Sequence, residues 1–379
     1  MITGQYPPQR GGIGDYTDQL VSALQDKGVE VSLIVPSGSV LNCQDKVSLL
    51  PVGGWGWSTL RIIARHLTQS ESNWLHIQYQ PNIYHGHPAI CMLPLFLRTR
   101  RWGGRIAVTF HDLQVPHLFR KAGLLRALTR DLLVRTAAVS IAADTGDYEY
   151  LRRIARRVLQ IPIGSNIPYT SYENQTAKNV EIRRRYAIAP DKAVIGQFGT
   201  TSGLETLLYA LKDVPGTVLM MIGKEISEAG NDAAEIVRLS DQHKALIRDL
   251  GVTERVCFTG YLPAREAAYT LQSVDVVVLP YAAGASLRNG GFMAALTQGT
   301  AIITTQPRYP IPHLTIGEHL LTVPPGDASA LARMIHRTLG DAALCEKLRE
   351  NARQVAHAVF SWPTIAAAHM TIYQGEHSI

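Results

Sequence analysis

The sequence predicts an α/β protein made of two Rossmann-like, doubly wound domains, and three observations predict it. At 379 residues the chain is too long for one ordinary core and suits two domains of roughly 150–200 residues each. Short apolar strands alternate with amphipathic helices along its whole length, the pattern of parallel sheets covered on both faces. Near the middle, Ile163-Gly164-Ser165-Asn166-Ile167-Pro168 gathers turn-forming residues directly after a strand, which marks a linker.

The predicted domains are residues 1–165 and 166–360, with 361–379 forming a C-terminal helix that packs back on the first domain. In the first half, apolar runs place strands at Val29–Val35, Trp74–Gln78, Arg105–Thr109, Ala138–Ala142 and Val158–Ile161. Helical periodicity covers Asp15–Lys27, Leu60–Gln69 and Leu124–Ala137. In the second half the strands are Ala193–Phe198, Val218–Ile222, Val256–Thr259, Val274–Leu279, Ala301–Thr304 and Leu320–Val323. Helices fall at Gly203–Leu211, Asp232–Leu250, Ala264–Leu271, Gly291–Thr297 and Ala328–Gly340. The first strand is left only Met1-Ile2-Thr3, short of the ~5 residues usual for a strand, so the chain is expected to begin a few residues late. Two facing α/β halves make a cleft, and open sheets of this kind bind ligands at the carboxyl ends of their strands.

Composition narrows the classes. Four scattered cysteines without a CxxC pair give neither a disulfide frame nor a zinc site and suit a reducing compartment. No secretory signal pattern is present, and no apolar run reaches the ~18 residues of a membrane span. The expected location is cytoplasmic, with peripheral attachment at the inner face of the membrane as a further expectation. The net charge of +6 is uneven: residues 1–165 hold 18 Lys and Arg against 11 Asp and Glu, and residues 166–379 hold 19 against 20. Arg98, Arg100, Arg101 and Arg105 precede a strand, and Arg152, Arg153, Arg156 and Arg157 follow later. Arg120, Lys121, Arg126, Arg130 and Arg135 flank a stripe of Leu124, Leu128 and Leu132. An apolar stripe with basic flanks can lie on an anionic bilayer; a core-facing helix with a solvated basic face reads the same way. Nucleic acid is not expected, since no recognition motif accompanies the charge.

Three segments carry chemistry. Gly11-Gly12-Ile13-Gly14 opens a helix, where glycine lets backbone approach a ligand and free N–H groups receive an anion; a plain tight turn has the same sequence. Thr109-Phe110-His111-Asp112 leaves a buried strand, so His111 can hydrogen-bond a sugar hydroxyl or carry a proton, with Asp112 orienting it; a structural His beside a capping Asp is the alternative. Ser286-Leu287-Arg288-Asn289-Gly290-Gly291 joins a strand to a helix start, and one Arg with glycines there suits a diphosphate; otherwise the Arg faces solvent.

Together with His76-Ile77-Gln78-Tyr79, Gly196–Leu208, Phe258-Thr259-Gly260, Val323-Pro324-Pro325-Gly326-Asp327 and Phe360-Ser361-Trp362, these segments resemble family 4 of the retaining glycosyltransferases, with the GT-B fold, from Thr3 to about Tyr373. The resemblance implies a nucleoside-diphosphate sugar as donor substrate, no other cofactor, no metal, and a glycan, lipid-linked or small-molecule acceptor. It implies His111 at the transferred sugar and Tyr261 and Leu262 on the loop near the base. It also implies donor and phosphate contacts from Gly12, Ile13, Gly14, Gln197, Ser202, Lys224, Ser286, Arg288, Asn289, Gly290 and Gly291.

The chain departs from the family where charge is concerned. The family's two glutamates, eight positions apart, are here Ser286 and Ala294, and its Arg and Lys on the first loop of the second domain are Gln197 and Ser202. Two functions from different classes follow. One is sugar transfer; the other is a catalytically silent GT-B protein that binds an active transferase. A sugar-nucleotide epimerase of the same fold is less well matched by the local motifs.

Overall fold

The computed structural model describes residues 1–9, 11–40, 47–113, 120–171, 175–199, 201–223 and 233–375. It divides into two units, Met1–Gly164 with Ser361–Ile379, and Ser165–Phe360.

The first unit runs β1 (Ile2–Thr3), α1 (Gly12–Gln25), β2 (Ser32–Pro36), β3 (Ser48–Val52), α2 (Trp57–Gln69), β4 (Trp74–Tyr79), α3 (Ala89–Thr99), β5 (Arg105–Phe110), α4 (Arg120–Thr136), β6 (Val139–Ala142), α5 (Thr145–Leu151) and β7 (Val158–Gln160). The second unit runs α6 (Gln175–Arg185), β8 (Ala193–Phe198), α7 (Leu204–Lys212), β9 (Thr217–Ile222), α8 (Ala233–Asp249), β10 (Val256–Phe258), α9 (Ala264–Ser273), β11 (Val276–Leu279), α10 (Gly290–Thr297), β12 (Ile302–Thr305), β13 (Leu321–Val323), α11 (Ala328–Leu339) and α12 (Ala342–Val359). The chain then returns to the first unit as α13 (Trp362–Tyr373).

Each unit holds one all-parallel sheet, in the orders β3-β2-β1-β4-β5-β6-β7 and β10-β9-β8-β11-β12-β13. Both are doubly wound: strand order reverses between β1 and β4 and between β8 and β11, which opens a crevice at the strands' carboxyl ends. In the second unit glycine lets the loops beside that crevice converge. Gly203 has φ of 72°, and a Cβ there would fall 1.7 Å from the carbonyl oxygen of Pro280; a Cβ on Gly291 would fall 2.6 Å from that of Phe198. The loop after β8 therefore packs directly on the loop after β11.

In the first unit the period of two along β4 and β5 sorts side chains to opposite faces. Leu75, Ile77, Tyr79, Ile106, Val108 and Phe110 join one apolar core, while Ala107 joins the other with residues of α1 and α13. On that second face stands a polar ladder. His76 Nε2 lies 2.8 Å from Thr109 Oγ1 and its Nδ1 2.6 Å from the Tyr373 hydroxyl. His369 on α13 places its ring 5.5 Å from that of His76 and its Nδ1 2.8 Å from the Ile365 carbonyl oxygen.

Three readings from the sequence change. The edge strand β3 was not expected; Pro51 lies within it, and proline is tolerated at a sheet edge, where a missing N–H breaks no interior ladder. On α4 the apolar side is Leu133 and Val134, both fully buried, while Leu124 and Leu128 are each 67% exposed, so the repeat of four does not follow the buried face. Arg130, expected on the solvated basic face, is instead buried: it pairs with Asp131 at 2.8 Å and donates to the Leu113 carbonyl at 2.6 Å.

Two outcomes follow. Gly203→Ala meets both a left-handed backbone and the Pro280 carbonyl, so the variant loses at least about 2 kcal/mol of unfolding free energy, read from denaturant melts. Burial holds His76, His111 and His369 below the usual histidine pKa, His111 at about 3 and His369 at about 4, with the His369 ring adding to the effect on His76 and His111. These rings are neutral when folded, yet take up protons in the unfolded chain below about pH 6.5. Stability is therefore full above that pH and falls as acid is added, by up to about 1.4 kcal/mol per pH unit for each ring that stays neutral. The urea midpoint is lower at pH 5 than at pH 7.5, and His369→Gln reduces the difference; equal midpoints for the parent would refute the neutral cluster.

Candidate functional site

The loop between β11 and α10 is pinned from within. Ala285 and Leu287 are buried, which leaves the alternating Ser286 and Arg288 partly exposed. The Asn289 side-chain oxygen accepts from the Ser286 N–H at 2.8 Å, and the Ser286 hydroxyl accepts from the Arg288 N–H at 3.2 Å. Asn289 thus stiffens the loop, and its side chain does not cap the helix it precedes. The first N–H groups of α10, at Gly290 and Gly291, lie at the positive end of the helix. Beside them, the Ser202 hydroxyl accepts from the Ala282 N–H at 3.2 Å, which ties the loop after β8 to the loop after β11. Ser202, Ser286, Arg288, Asn289, Gly290 and Gly291 are thus brought to one edge of one sheet, at the reversal between β8 and β11.

Other expected donor contacts stand apart. Gln197 lies within β8 and is 1% exposed, so its side chain faces packed protein where the family's arginine would meet phosphate. Ala294, in the place of the second glutamate, is also 1% exposed. Lys224 lies outside the described residues. At the adjoining strand ends, the Thr259 hydroxyl accepts from the Gly223 N–H at 3.0 Å, and Tyr261 beyond it is 56% exposed, with Leu262 partly exposed.

In the first unit, Gly12, Ile13 and Gly14 form the first turn of α1. A Cβ on Gly14 would lie 3.2 Å from the Cα of Tyr6, so glycine allows the helix start to press on the loop after β1. His111 directly follows β5; its N–H donates to the Tyr79 carbonyl at 2.9 Å, and its ring meets the edge of Tyr16 at a centroid distance of 4.8 Å. Its Nε2 lies 2.8 Å from the Gln78 side-chain oxygen. Gln78 was not singled out from the sequence as a site residue; the signal was its i, i+2 spacing from His76, which puts both on one face of β4. Among the described residues no group of three or more His, Cys, Asp or Glu side chains is arranged to hold a metal ion.

Residues 10–165 match the domain described as Glycosyltransferase Family 4, and residues 181–355 the domain described as Glycosyl transferases group 1. The lipopolysaccharide core biosynthesis glycosyltransferase LpsE of Rhizobium meliloti is 28% identical over 223 residues, 58% of this chain and 61% of that protein, so the chain spans less than two thirds of this relative. A phosphatidyl-myo-inositol mannosyltransferase of Mycolicibacterium smegmatis is 22% identical over an alignment covering 96% of this chain and 90% of its own. Among solved structures, HepE of Anabaena in complex with UDP and glucose superposes with a TM-score of 0.75 over 98% of each chain, at 17% identity. Two matched domains that together take in most of the chain, on two doubly wound parallel sheets, make this chain a member of glycosyltransferase family 4, with the GT-B fold.

Proposed function

We propose that this protein transfers a sugar, with retention and without a metal, from a nucleoside-diphosphate sugar to a glycan or lipid-linked acceptor. The observation that carries the reading is the convergence of Arg288 and the Gly290–Gly291 helix start on the β8/β11 reversal, beside Ser202. A guanidinium and oriented backbone N–H groups there stabilise the charge that develops on a departing diphosphate. Tyr261 and Leu262 border the base, and His111 touches the transferred sugar. The relatives' printed activities on lipopolysaccharide core and phosphatidyl-inositol support an acceptor of that class.

A second reading has an observation in its favour: Gln197 and Ala294 are buried and uncharged where the family carries charge. On this reading the protein binds a nucleotide weakly or not at all and partners an active transferase.

We further propose that α4 rests on an anionic membrane surface at the cytoplasmic face. Leu124, Leu125 and Leu128 are 60–67% exposed on one helix that also carries Arg126 and Arg135. No helix among the described residues is long and apolar enough to cross a membrane, so attachment would be at the surface.

Calorimetric titration with UDP, GDP and ADP tests the donor site. At least one binds, and Arg288→Ala weakens it by about 1.5–3 kcal/mol, the range for a hydrogen bond to a charged group. No binding by any of the three to folded protein moves the reading to the silent partner. Flotation with vesicles of phosphatidylglycerol and phosphatidylcholine tests the surface. Binding falls as salt rises, and the double variant Leu124→Glu, Leu128→Glu abolishes it while the fold persists; equal flotation of parent and variant would remove α4 from the membrane.

A further inference from the structure

The polar face of β4 and β5 reaches the candidate sugar contact. His111 Nε2 and the Gln78 side-chain oxygen are 2.8 Å apart, and the Gln78 side-chain nitrogen lies 3.4 Å from the Met1 sulfur. These two contacts fix the hydrogen-bond direction. A thioether donates nothing, so an amide oxygen turned toward it would be left without a donor, whereas the amide N–H₂ can be placed there. The oxygen therefore faces His111, and Nε2 must bring the proton. Around the ring stand Tyr16 of α1, His76 of β4 and His369 of α13, with Asp112 next in sequence.

We propose that Gln78 is the positioning residue of His111: by accepting from Nε2 it holds the ring in a single tautomer, with the lone pair on Nδ1. The nitrogen left for substrate is then an acceptor, and it meets a sugar hydroxyl that donates. Burial, and the His369 ring after it, keep His111 from charging until about pH 3, so the acceptor persists through neutral pH. The catalytic meaning rests on reading His111 as a sugar contact; the tautomer itself does not.

The test is long-range proton–nitrogen NMR on nucleotide-free full-length protein with ¹⁵N in the histidine rings, the His111 signals being those lost in His111→Ala. At pH 7 the parent shows a protonated Nε2 and an unprotonated Nδ1. Gln78→Leu pulls both shifts toward the average of the two tautomers. Gln78→Glu keeps the proton on Nε2 and, by placing a carboxylate on it, raises the pH at which the ring charges by about one pH unit or more. A parent proton on Nδ1, or unchanged shifts in Gln78→Leu, overturns the proposal. Should Gln78→Leu fail to fold, the Gln78→Glu spectrum at pH 7 decides alone, and an unprotonated Nε2 there overturns it. Since the spectra need no nucleotide, a failed donor titration leaves this result standing, and the two failures are told apart.

Discussion

Everything proposed for the second unit depends on how closely two loops meet at one reversal of strand order. A doubly wound sheet sends its helices to opposite sides of that point and leaves the carboxyl ends of β8 and β11 uncovered. An uncovered crevice is only an opportunity. It becomes a defined surface here because Gly203 and Gly291 carry no Cβ and let backbone lie directly on backbone. Ser202 then reaches Ala282, and the start of α10 is held beside the end of β8. The loop's internal bonds, Ser286 N–H to the Asn289 side-chain oxygen and Arg288 N–H to the Ser286 hydroxyl, fix its shape. Ordering is thus completed before a ligand arrives, which lowers the entropy a bound phosphate must overcome.

The fold was legible because the signal is periodic and redundant. Strands such as Val194–Ile195 and Val276–Leu279 are buried on both faces and so read as unbroken apolar runs. Some of what escaped was itself helical, as α6 and the 18-residue α12 were not expected; the rest was non-periodic. β3 contains Pro51, is mostly exposed or half-buried, and sits at an edge, where packing asks little of its sequence. Arg130 looked like any surface arginine on a leucine-spaced helix; Asp131 is its neighbour in sequence, but Leu113 and Tyr150 lie 17 and 20 residues away, and no local pattern announces them. The Ser286–Gly291 loop was readable because glycine and one arginine after a strand have a local meaning. Gln78 was not, because its meaning arises from register: Gln78 pairs with Thr109, which brings it beside His111 two residues on.

The return of α13 to the first unit has a physical cost. It buries His369 and sets the partly buried Tyr373 ring against His76 on β4, where an all-apolar face would pack with fewer conditions. Buried polar groups of this kind are tolerable only when partnered, and most of the ladder is: His76 holds Tyr373 and Thr109, and Gln78 holds His111. The exception is His369 Nε2, buried with no partner among the described residues. A face that could have been leucine and valine instead spends its positions on orienting one ring at the strand's end. That choice makes sense where the direction of a hydrogen bond matters more than the last increment of stability.

The same trade bears on the missing charges. Where the family presents arginine, lysine and two glutamates, this chain presents Gln197, Ser202, Ser286 and Ala294, and the first and last of these are packed away from solvent. A desolvated diphosphate still needs donors, and a hydrogen bond to a charged group is worth about 1.5–3 kcal/mol against roughly 0.5–1.5 for a neutral pair. On the proposed reading Arg288 supplies one charged contact, and the N–H groups of Gly290 and Gly291 supply dipoles that lose no side-chain entropy on binding. Such a cradle holds a diphosphate less tightly than one with two cations. In a transferase, weaker ground-state binding is no handicap provided the remaining donors act where charge develops on departure. On the proposed reading the second unit's loop works by orientation rather than by quantity of charge, in keeping with its being fastened by its own side chains.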